Sequence, residues 1–349
     1  MKGSTALAVL LGLASASPTP TAEVQTQHKA PWNLRTISHR SSPRFPMVNF
    51  FRNFKYYYQS WPSDKTYYAY VVDSGVRISH KEFEGRAENL WTALKTRDGK
   101  DDFEDKSGHG THVAGTIAAK TYGVAKTARV VSVRVLDKED RAPTSTIIKG
   151  LEQAISDIAK KNRHNNAVIN MSVGAECSTA MNTIIQRAYK RRDASGKGLA
   201  SILVVAASGN EGADASTCSP ASSNDALTVG AIDSSWNVVK WSNYGRKVDI
   251  LAPGDGVTSL SSKSDYGTET MSGTSMAAPH VAALALNAMA VFSKLSNEVK
   301  FYLGQTATKD MIKGDLRGAP NLLVNNNNNE QESCERRSQP KNENEDDAC

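Results

Sequence analysis

Ser275 lies at the start of a predicted helix, where a serine hydroxyl can act as a nucleophile. The stretch from Gly273 to His280 reads GTSMAAPH, and an Ala- and Leu-rich apolar run follows from Val281 to Val291. The exposed backbone N–H groups at a helix start favour negative charge that develops beside Ser275. An ordinary serine helix cap has the same local pattern, so the chemistry depends on residues elsewhere in the chain.

A serine nucleophile requires a base, a partner that fixes the tautomer of the base, and donors for the oxyanion. His109, between two glycines at a predicted helix start, is the candidate base. Asp73 directly follows a β-rich run and is the candidate partner. Asn210, in a Ser-Gly-Asn turn, is the candidate oxyanion donor beside the backbone N–H of Ser275. The turns that contain Asp73 and Asn210 are common when taken alone.

A second histidine, His112, follows His109 by about one helical turn, and we expect a structural role for it. The pair does not favour a zinc site, because this stretch lacks the Glu of a His-Glu-x-x-His motif. His109 is therefore the predicted base of the two.

The elements that must position these residues alternate between strand and helix patterns. Strands are predicted at 67–72, 130–135, 168–173, 201–206, 227–231 and 248–251, and helices at 109–119, 146–161, 181–192 and 281–291. Nearly continuous Val, Ile and Leu runs between helices predict an α/β fold, a doubly wound, mostly parallel sheet with helices on both faces in a single domain. Asp73 and Asn210 follow two of these strands, at the carboxyl ends where such sheets form sites.

The N-terminus has the order of a secretory signal peptide: Lys2, a short apolar run from Ala6 to Leu13, and small residues up to Ala16. That run is far shorter than the ~20 residues of a membrane span. We therefore predict a signal peptide at 1–16, a secreted, extracellular protein, a leader or linker at 17–29 and the main domain at 30–324. The five-Asn run from Asn325 and the polar residues after it predict a disordered tail at 325–349.

The chain has 349 residues, 39% of them hydrophobic, and a formal net charge of +6. The basic residues form no stripe interleaved with aromatic residues, which argues against nucleic-acid binding. No segment after the N-terminal run is predicted to span a membrane. Aromatic residues crowd together between Pro43 and Tyr58, and we expect them to pack onto the domain.

The motifs at Asp73, His109 and Ser275, in this chain order and together with Asn210, resemble the subtilisin-like serine proteases, most closely the proteinase K branch. The resemblance extends from about residue 30 to residue 323 and includes the stretches 80–87, 133–137 and 242–245. It implies a serine endopeptidase with a subtilisin-like fold. In that enzyme Ser275 attacks and His109 transfers the proton. Asp73 orients His109, and Asn210 donates to the oxyanion.

The resemblance also assigns the residues that bind substrate. One strand edge is formed by Ser172, Val173 and Gly174, and the opposing strand by Asp140, Arg141 and Ala142, where the family usually has glycines. Small, uncharged residues at 172–175 and 206–209 predict a wide slot for aromatic and large aliphatic side chains before the cut. Glu176 and Glu211, at the rim, could admit basic residues as a minor class.

Two further expectations follow from the resemblance. Asp249, with the backbone carbonyls of Asn224 and Ala226, is expected to hold a structural Ca²⁺, although a solvated carboxylate at a strand end is equally compatible with the sequence. Cys177 and Cys218 follow segments that converge on the specificity pocket, and a disulfide between them is expected; two small buried thiols are the alternative. Cys334 and Cys349 are then free or paired in the tail.

Two other functions stay open at this point: an inactive subtilase-like binding protein and a secreted serine esterase. The esterase is disfavoured because residues 273–277 lack the Gly-x-Ser-x-Gly elbow of that class. The family also carries a folded pro-domain, whereas here only residues 17–29 separate the signal peptide from the first matching residues, so either the sequence is incomplete or folding proceeds without one. We expect a monomer that acts on protein and peptide substrates.

Overall fold

The computed structural model describes residues 22–42, 54–190 and 201–330. The strands are β1 (Val24–Gln27), β2 (Tyr56–Gln59), β3 (Tyr68–Asp73), β4 (Ala87–Thr92), β5 (Arg129–Arg134), β6 (Ala167–Met171), β7 (Ala175–Glu176), β8 (Leu203–Ala207), β9 (Cys218–Ser219), β10 (Ala226–Ile232), β11 (Ile250–Pro253), β12 (Val257–Leu260), β13 (Thr268–Met271), β14 (Thr308–Lys309) and β15 (Leu322–Leu323). The α-helices are α1 (Trp32–Thr36), α2 (His109–Ala118), α3 (Thr144–Lys160), α4 (Thr179–Tyr189), α5 (Thr274–Val291) and α6 (Ser296–Thr306).

A nine-stranded sheet with the order β14-β15-β11-β10-β8-β6-β3-β5-β4 forms the centre of the protein. Its neighbouring strands pair in parallel, except for β14 and β15, which are antiparallel. Side chains that alternate along a strand enter two different cores. Val168 and Val205 pack with α2 and α5 on one face, whereas their neighbours Ile169 and Val204 pack with α3 and α4 on the other. The predicted doubly wound α/β fold is confirmed.

Helix α5 lies deep in the core and carries Ser275 at its first turn. Its 18 residues are long and apolar enough to cross a membrane by length and composition, but 83% of the helix is buried inside the protein. A helix that is apolar on all sides is expected at the centre of a large core. Asn33 of α1 hydrogen-bonds to the buried His280 of α5 at 2.8 Å and ties the N-terminal segment to this helix.

The described part of the aromatic N-terminal stretch packs onto the main domain. Tyr56 of β2 is 1% exposed, belongs to the same core as α5, and donates its hydroxyl to the Val124 carbonyl at 3.0 Å. Strand β2 also pairs with β1 in antiparallel register. The rest of this stretch, 43–53, and the predicted signal peptide lie outside the described residues.

The prediction that disorder begins at Asn325 is wrong for the residues up to 330. Asn325, Asn326 and Asn328 are buried, and their side-chain amides donate to backbone carbonyls of the N-terminal segment at 2.6–3.1 Å. An amide side chain can satisfy buried backbone oxygens in this way, which polarity alone does not reveal. Residues 331–349 of the predicted tail lie outside the described residues.

The predicted disulfide between Cys177 and Cys218 is also wrong, since the structure holds both thiols free. Cys218 of β9 lies opposite Glu176 of β7 in antiparallel register, so Cys177 is one residue past that pair. Cys177 is therefore not the cross-strand partner of Cys218. The Cys218 thiol donates instead to a buried backbone carbonyl at 3.3 Å. The other two cysteines lie outside the described residues.

Candidate active site

Asp73 and His109, which are far apart in the sequence, meet at the carboxyl end of the sheet. Asp73 is the last residue of β3 and is fully buried, and His109 is the first residue of α2. The Nδ1 atom of His109 hydrogen-bonds to Asp73 Oδ1 at 2.7 Å, and the Ser74 N–H donates to the same oxygen at 2.8 Å. This contact fixes the imidazole and leaves Nε2 for a proton transfer.

Gly110 allows the close approach of α2 to the end of β3. A Cβ atom on Gly110 would lie 2.1 Å from the Gly75 carbonyl oxygen and 3.1 Å from the Asp73 Cβ atom. These distances are far below van der Waals contact, and the nearest atom is backbone, so a larger residue would push the helix away. The glycine after His109 is therefore needed to bring the imidazole within reach of Asp73.

Carboxylates around His109 control its protonation. Burial disfavours the charged imidazolium, but the negative charge and the hydrogen bond of Asp73 outweigh this effect, and Asp140 and Asp105 add to it. The pKa of His109 is raised from 6.5 to about 9 as a result. The imidazole is thus doubly protonated at neutral pH, and its Nε2 becomes a proton acceptor in the alkaline range.

Asp105 holds the loop that presents His109, and the sequence analysis missed it. Its Oδ1 atom accepts from the Ser74 hydroxyl at 2.8 Å and from the Gly108 N–H at 3.0 Å, and its Oδ2 atom accepts from the Thr111 N–H at 2.8 Å. Asp105 is buried, with 5% of its surface exposed. Its one sequence signal is an acidic residue just before a helix start, which many surface helices share.

The hydroxyl of Ser275 points toward the neighbouring strand in this structure. It donates to the Ser172 backbone carbonyl at 3.1 Å. Within the described residues the Ser275 Oγ atom makes this one hydrogen bond, and it makes none to His109. Hydrogen bonds of catalytic groups are often long or misaligned before substrate binds. A proton transfer from Ser275 to His109 would require this hydrogen bond to Ser172 to break.

Pro279 explains how Ser275 is tied to the segment that follows β6. A proline has no N–H, so the Ser275 carbonyl, four residues earlier in α5, lacks its helical partner. The Ser172 hydroxyl donates to that carbonyl at 2.9 Å, and Asn170 of β6 donates to the same hydroxyl at 2.9 Å. Ser275 and the segment after β6 are thus held as one unit.

Asn210 and the Ser275 N–H converge on one space. The Oδ1 atom of Asn210 accepts from the Thr274 N–H at 2.8 Å and from the Thr274 hydroxyl at 2.9 Å, which orients the amide. A Cβ atom on Gly273 would lie 3.6 Å from both the Asn210 Nδ2 atom and the Ser275 nitrogen. Both nitrogens therefore border the space beside Gly273, where an oxyanion could accept two hydrogen bonds.

The two predicted substrate edges differ in structure. Ser172 and Val173 are buried after β6, whereas Gly174 is exposed and a Cβ atom there would meet no atom within 4 Å. The segment 140–142 forms no strand, so the prediction of a strand there is wrong: Asp140 and Arg141 follow a turn and are exposed, and Ala142 packs partly buried against the core. The Asp137 carboxylate closes this turn by accepting from the Glu139 and Arg141 N–H groups at 3.0 and 2.9 Å. A role of this turn in substrate binding stays a prediction.

Asp140 lies in the turn before α3, and its charge acts on His109. Its backbone has a φ of 58°, in the left-handed region. Partial burial and the negative charges of Asp73 and Asp105 raise the pKa of Asp140, whereas the nearby Ser107 and the positive charge of His109 lower it. A carboxylate thus acts on His109 from a position where the resemblance leads us to expect a glycine.

The two rim carboxylates differ in their surroundings, and Glu211 Oε2 lies against Gly209 of the predicted pocket, 2.7 Å from the place of a Cβ atom there. Glu211 accepts from the Asn243 amide at 2.7 Å, and its own N–H donates back to the Asn243 oxygen at 3.1 Å. Glu176, on the short strand β7, is exposed to solvent. The pocket segments 172–175 and 206–209 themselves carry no charged side chain.

His112 has a different environment from His109. It is fully buried, and its Nε2 atom lies 3.0 Å from the Val257 carbonyl and 3.2 Å from the Glu269 carbonyl. Burial lowers the pKa of His112 to about 4, so the ring stays neutral and donates to these carbonyls. It links α2 to the hairpin of β12 and β13, which is the structural role expected for it.

The three predicted calcium ligands, Asp249, Asn224 and Ala226, lie together, but around a cation of the protein itself. The Lys300 ammonium contacts the Asp249 carboxylate and both carbonyls. Within the described residues, no group of three or more His, Cys, Asp or Glu side chains could hold a metal ion.

The sequence and the structure both match known proteins. The sequence model of the Subtilase family matches residues 67–336. Alkaline protease 1 of Aspergillus flavus is 42% identical over 303 residues, which cover 86% of this chain and 68% of the relative. The subtilisin-like proteinase Mp1 of Magnaporthiopsis poae is 40% identical over 87% of this chain and 71% of its own.

A cold-adapted subtilisin-like serine proteinase of known crystal structure superposes with a TM-score of 0.69. It is 33% identical, and the match covers 85% of this chain and 98% of that protein. The family match over most of the chain agrees with the order of Asp73, His109 and Ser275 and with the parallel sheet that positions them. The chain belongs to the subtilase family and is a serine endopeptidase.

Proposed function

We propose that Asp73, His109 and Ser275 form the catalytic triad of this endopeptidase, and that Asn210 and the Ser275 N–H form its oxyanion hole. The observation that carries the proposal is the 2.7 Å hydrogen bond between the buried Asp73 carboxylate and His109. Further support is that α2, which begins with His109, packs against α5, which carries Ser275 at its first turn.

The reaction begins when the Ser275 Oγ atom attacks the carbonyl carbon of the scissile peptide bond. The Oγ proton moves to Nε2 of His109 as the new C–O bond forms, and the electron pair of the C=O bond moves to the carbonyl oxygen. Asp73 stabilises the imidazolium that results. The oxyanion accepts hydrogen bonds from Asn210 and from the Ser275 N–H.

The tetrahedral intermediate then collapses. Its C–N bond breaks as His109 returns the proton to the leaving amine, and an acyl group remains on Ser275. A water molecule then takes the place of the serine hydroxyl. His109 removes a proton from this water, and the water oxygen attacks the acyl carbon. The proton then goes to the Ser275 oxygen as the acyl C–O bond breaks. The second peptide product leaves as a carboxylic acid, and the enzyme is restored.

Replacement of the nucleophile tests this assignment. Ser275→Ala is expected to lower kcat for casein hydrolysis by on the order of 10⁶-fold, the size of this effect in subtilisin itself, and to abolish labelling by a sulfonyl fluoride. Ser145→Ala, on the exposed first turn of α3, is the matched control and is expected to keep full activity. Retained casein hydrolysis by Ser275→Ala would show that another residue is the nucleophile.

We further propose that the enzyme cuts after aromatic and large aliphatic residues. The support is an uncharged slot between 172–175 and 206–209, in which a large apolar side chain gains ~25 cal/mol per Å² of buried surface. A Lys or Arg there gains little to offset its loss of hydration, since the carboxylate beside Gly209, that of Glu211, already accepts from Asn243. Basic residues are then a minor class.

A peptide-library digest read by mass spectrometry tests the preference. We expect cuts after Phe, Tyr and Leu to dominate. Cuts mainly after Lys or Arg that disappear in Glu176→Gln or Glu211→Gln would show that one of these carboxylates reaches the pocket, contrary to the proposal.

Secretion is the last part of the proposed function. It is supported by the order of charge, apolar run and small residues in 1–16 and by the fungal alkaline proteases that the chain resembles. Expression of the full chain in a secreting fungal host, followed by N-terminal sequencing of the protein in the medium, tests it. Retention of an intact N-terminus inside the cells would contradict it.

A further inference from the structure

Lys300, on α6, reaches a point where three oxygen atoms converge. Its Nζ atom lies 2.8 Å from the Ala226 carbonyl oxygen, 2.9 Å from Asp249 Oδ2 and 3.4 Å from the Asn224 carbonyl oxygen. These are the oxygens that the family resemblance assigns to calcium. An ammonium group has three N–H donors, and the site offers three acceptors.

The residues present do not fit a calcium ion. Calcium takes six to eight oxygen ligands at ~2.3–2.6 Å, so it would have to lie close to the place that the Lys300 nitrogen occupies. Of the three predicted ligands, Asp249 supplies the one carboxylate, and its Oδ2 atom already accepts from the Thr228 N–H at 2.9 Å.

A second ammonium is close by, because Lys247 donates to the Asn224 side chain. The neighbouring carboxylate of Asp225 pairs with Lys190 instead. The predicted ligands thus offer one negative charge, which the ammonium groups of Lys300 and Lys247 already neutralise.

The Lys300–Asp249 pair is only partly open to solvent. The side chain of Lys300 is 29% exposed and that of Asp249 is 25% exposed. Water therefore screens this pair less than a pair on the open surface. The ammonium connects α6 to the start of β10 through Ala226 and to the residue that precedes β11, which is a structural link of the kind a bound ion would make.

We propose that the Lys300 ammonium takes the place of a calcium ion at this site, so that the enzyme binds no calcium there and does not depend on it. The charge that holds the three oxygens together is covalently attached and is always present. Removal of the lysine side chain is expected to weaken the site and to open it to the ion.

The test uses the Ser275→Ala background to suppress self-digestion and reads thermal melting, so its result does not depend on a measurement of activity. Melting temperatures are measured in EDTA and in millimolar CaCl₂, and the difference between them is the calcium response. The response of each protein is compared with that of the same protein carrying Asp249→Asn, so that only calcium bound at this site counts. With Lys300 present we expect no such response. Lys300→Ala is expected to melt ~2–4 °C lower in EDTA and to recover part of the loss with calcium.

Lys309→Ala, at an exposed position of β14, is the matched control and is expected to show neither change. A calcium response of the protein with Lys300, lost on Asp249→Asn, would show that the ion displaces the lysine and would overturn the proposal. A Lys300→Ala variant with an unchanged melting temperature in EDTA would overturn it as well. So would a destabilised Lys300→Ala variant without any calcium response, because the three oxygens would then not be a cation site.

Discussion

Two carboxylate–cation pairs of similar geometry lie at the ends of strands in this protein, and we propose different roles for them. In one, Asp73 Oδ1 lies 2.7 Å from His109 Nδ1; in the other, Asp249 Oδ2 lies 2.9 Å from Lys300 Nζ. The first carboxylate is fully buried, whereas the second is 25% exposed. The distances are nearly equal, so geometry alone does not separate a reactive pair from a structural one.

The chemistry of the cationic partner separates them. An imidazole has a second nitrogen, which can accept and return a proton while the first stays bound to its carboxylate. A lysine ammonium is a donor only and can do nothing but hold the oxygens around it. Loss of the first pair is therefore expected to affect turnover, and loss of the second to affect stability.

The largest effect that tests this comparison is expected for Asp73→Asn. The amide lacks the negative charge that stabilises the imidazolium and favours the wrong tautomer of His109, and the corresponding change in a serine protease lowers kcat by ~10⁴-fold. Kinetics on a peptide anilide give kcat, and circular dichroism serves as the control for folding. If the variant keeps more than a tenth of the activity, Asp73 is not part of the catalytic machinery.

Asn210→Ala is expected to have the next largest effect. Loss of one oxyanion donor lowers kcat by ~10²–10³-fold in subtilisin, and KM should change far less because the oxyanion forms after substrate binds. Thr274→Val is the control, since it removes one of the two hydrogen bonds that orient the amide but keeps the donor. Equal losses in both variants would indicate that Asn210 acts through the structure of the loop.

The pH dependence gives a smaller effect. Because the pKa of His109 is raised to about 9, activity should increase with pH through that value. Asp140→Asn removes one of the negative charges that raise this pKa, so the acid limb of kcat/KM should move to lower pH, with a few-fold gain near neutrality. Glu139→Gln, at the exposed neighbouring position, is the control. An unmoved acid limb in Asp140→Asn would show that its charge does not act on the base.

The same raised pKa links pH to stability. The folded state binds the His109 proton more tightly than the unfolded chain does, so this group stabilises the fold fully below 6.5, and that contribution is lost as pH rises through about 9. Part of the stability gained from the pair is thus absent under the conditions in which the base is active. Melting curves of Ser275→Ala with and without His109→Gln across this range measure the effect.

The smallest effect is expected for Asp249→Asn. It should lower the melting temperature by about 2–4 °C and leave kcat unchanged, which is the reverse of Asp73→Asn. A loss of activity at temperatures where the variant is folded would show that the second pair also contributes to catalysis.

The fold could be predicted from sequence because the strands of a parallel sheet are buried on both faces. Runs such as 201–206 and 168–173 contain few polar residues, and the alternation with helices fixes the topology. The sequence could suggest a triad because each proposed member lies next to glycine or serine residues at the end of an element, in an order typical of one family.

What could not be predicted depends on contacts between distant residues. Asp105 acts through Ser74 and Thr111, and nothing in its local sequence distinguishes it from a surface acid. Lys300 is 51 positions from Asp249 and lies on a helix with no motif of its own. The asparagines after residue 324 look like a disordered tail because their partners are backbone carbonyls, which no sequence pattern shows.

The central claim is that His109, held by Asp73, activates Ser275, and the pH dependence of covalent labelling tests it most directly. The folded enzyme is treated with a fluorophosphonate over a range of pH, and the modified peptide is identified by mass spectrometry. We predict labelling at Ser275 alone, at a rate that rises with pH through about 9 and falls by orders of magnitude in Asp73→Asn. Labelling at another serine, or a rate that depends on neither pH nor Asp73, would contradict the account.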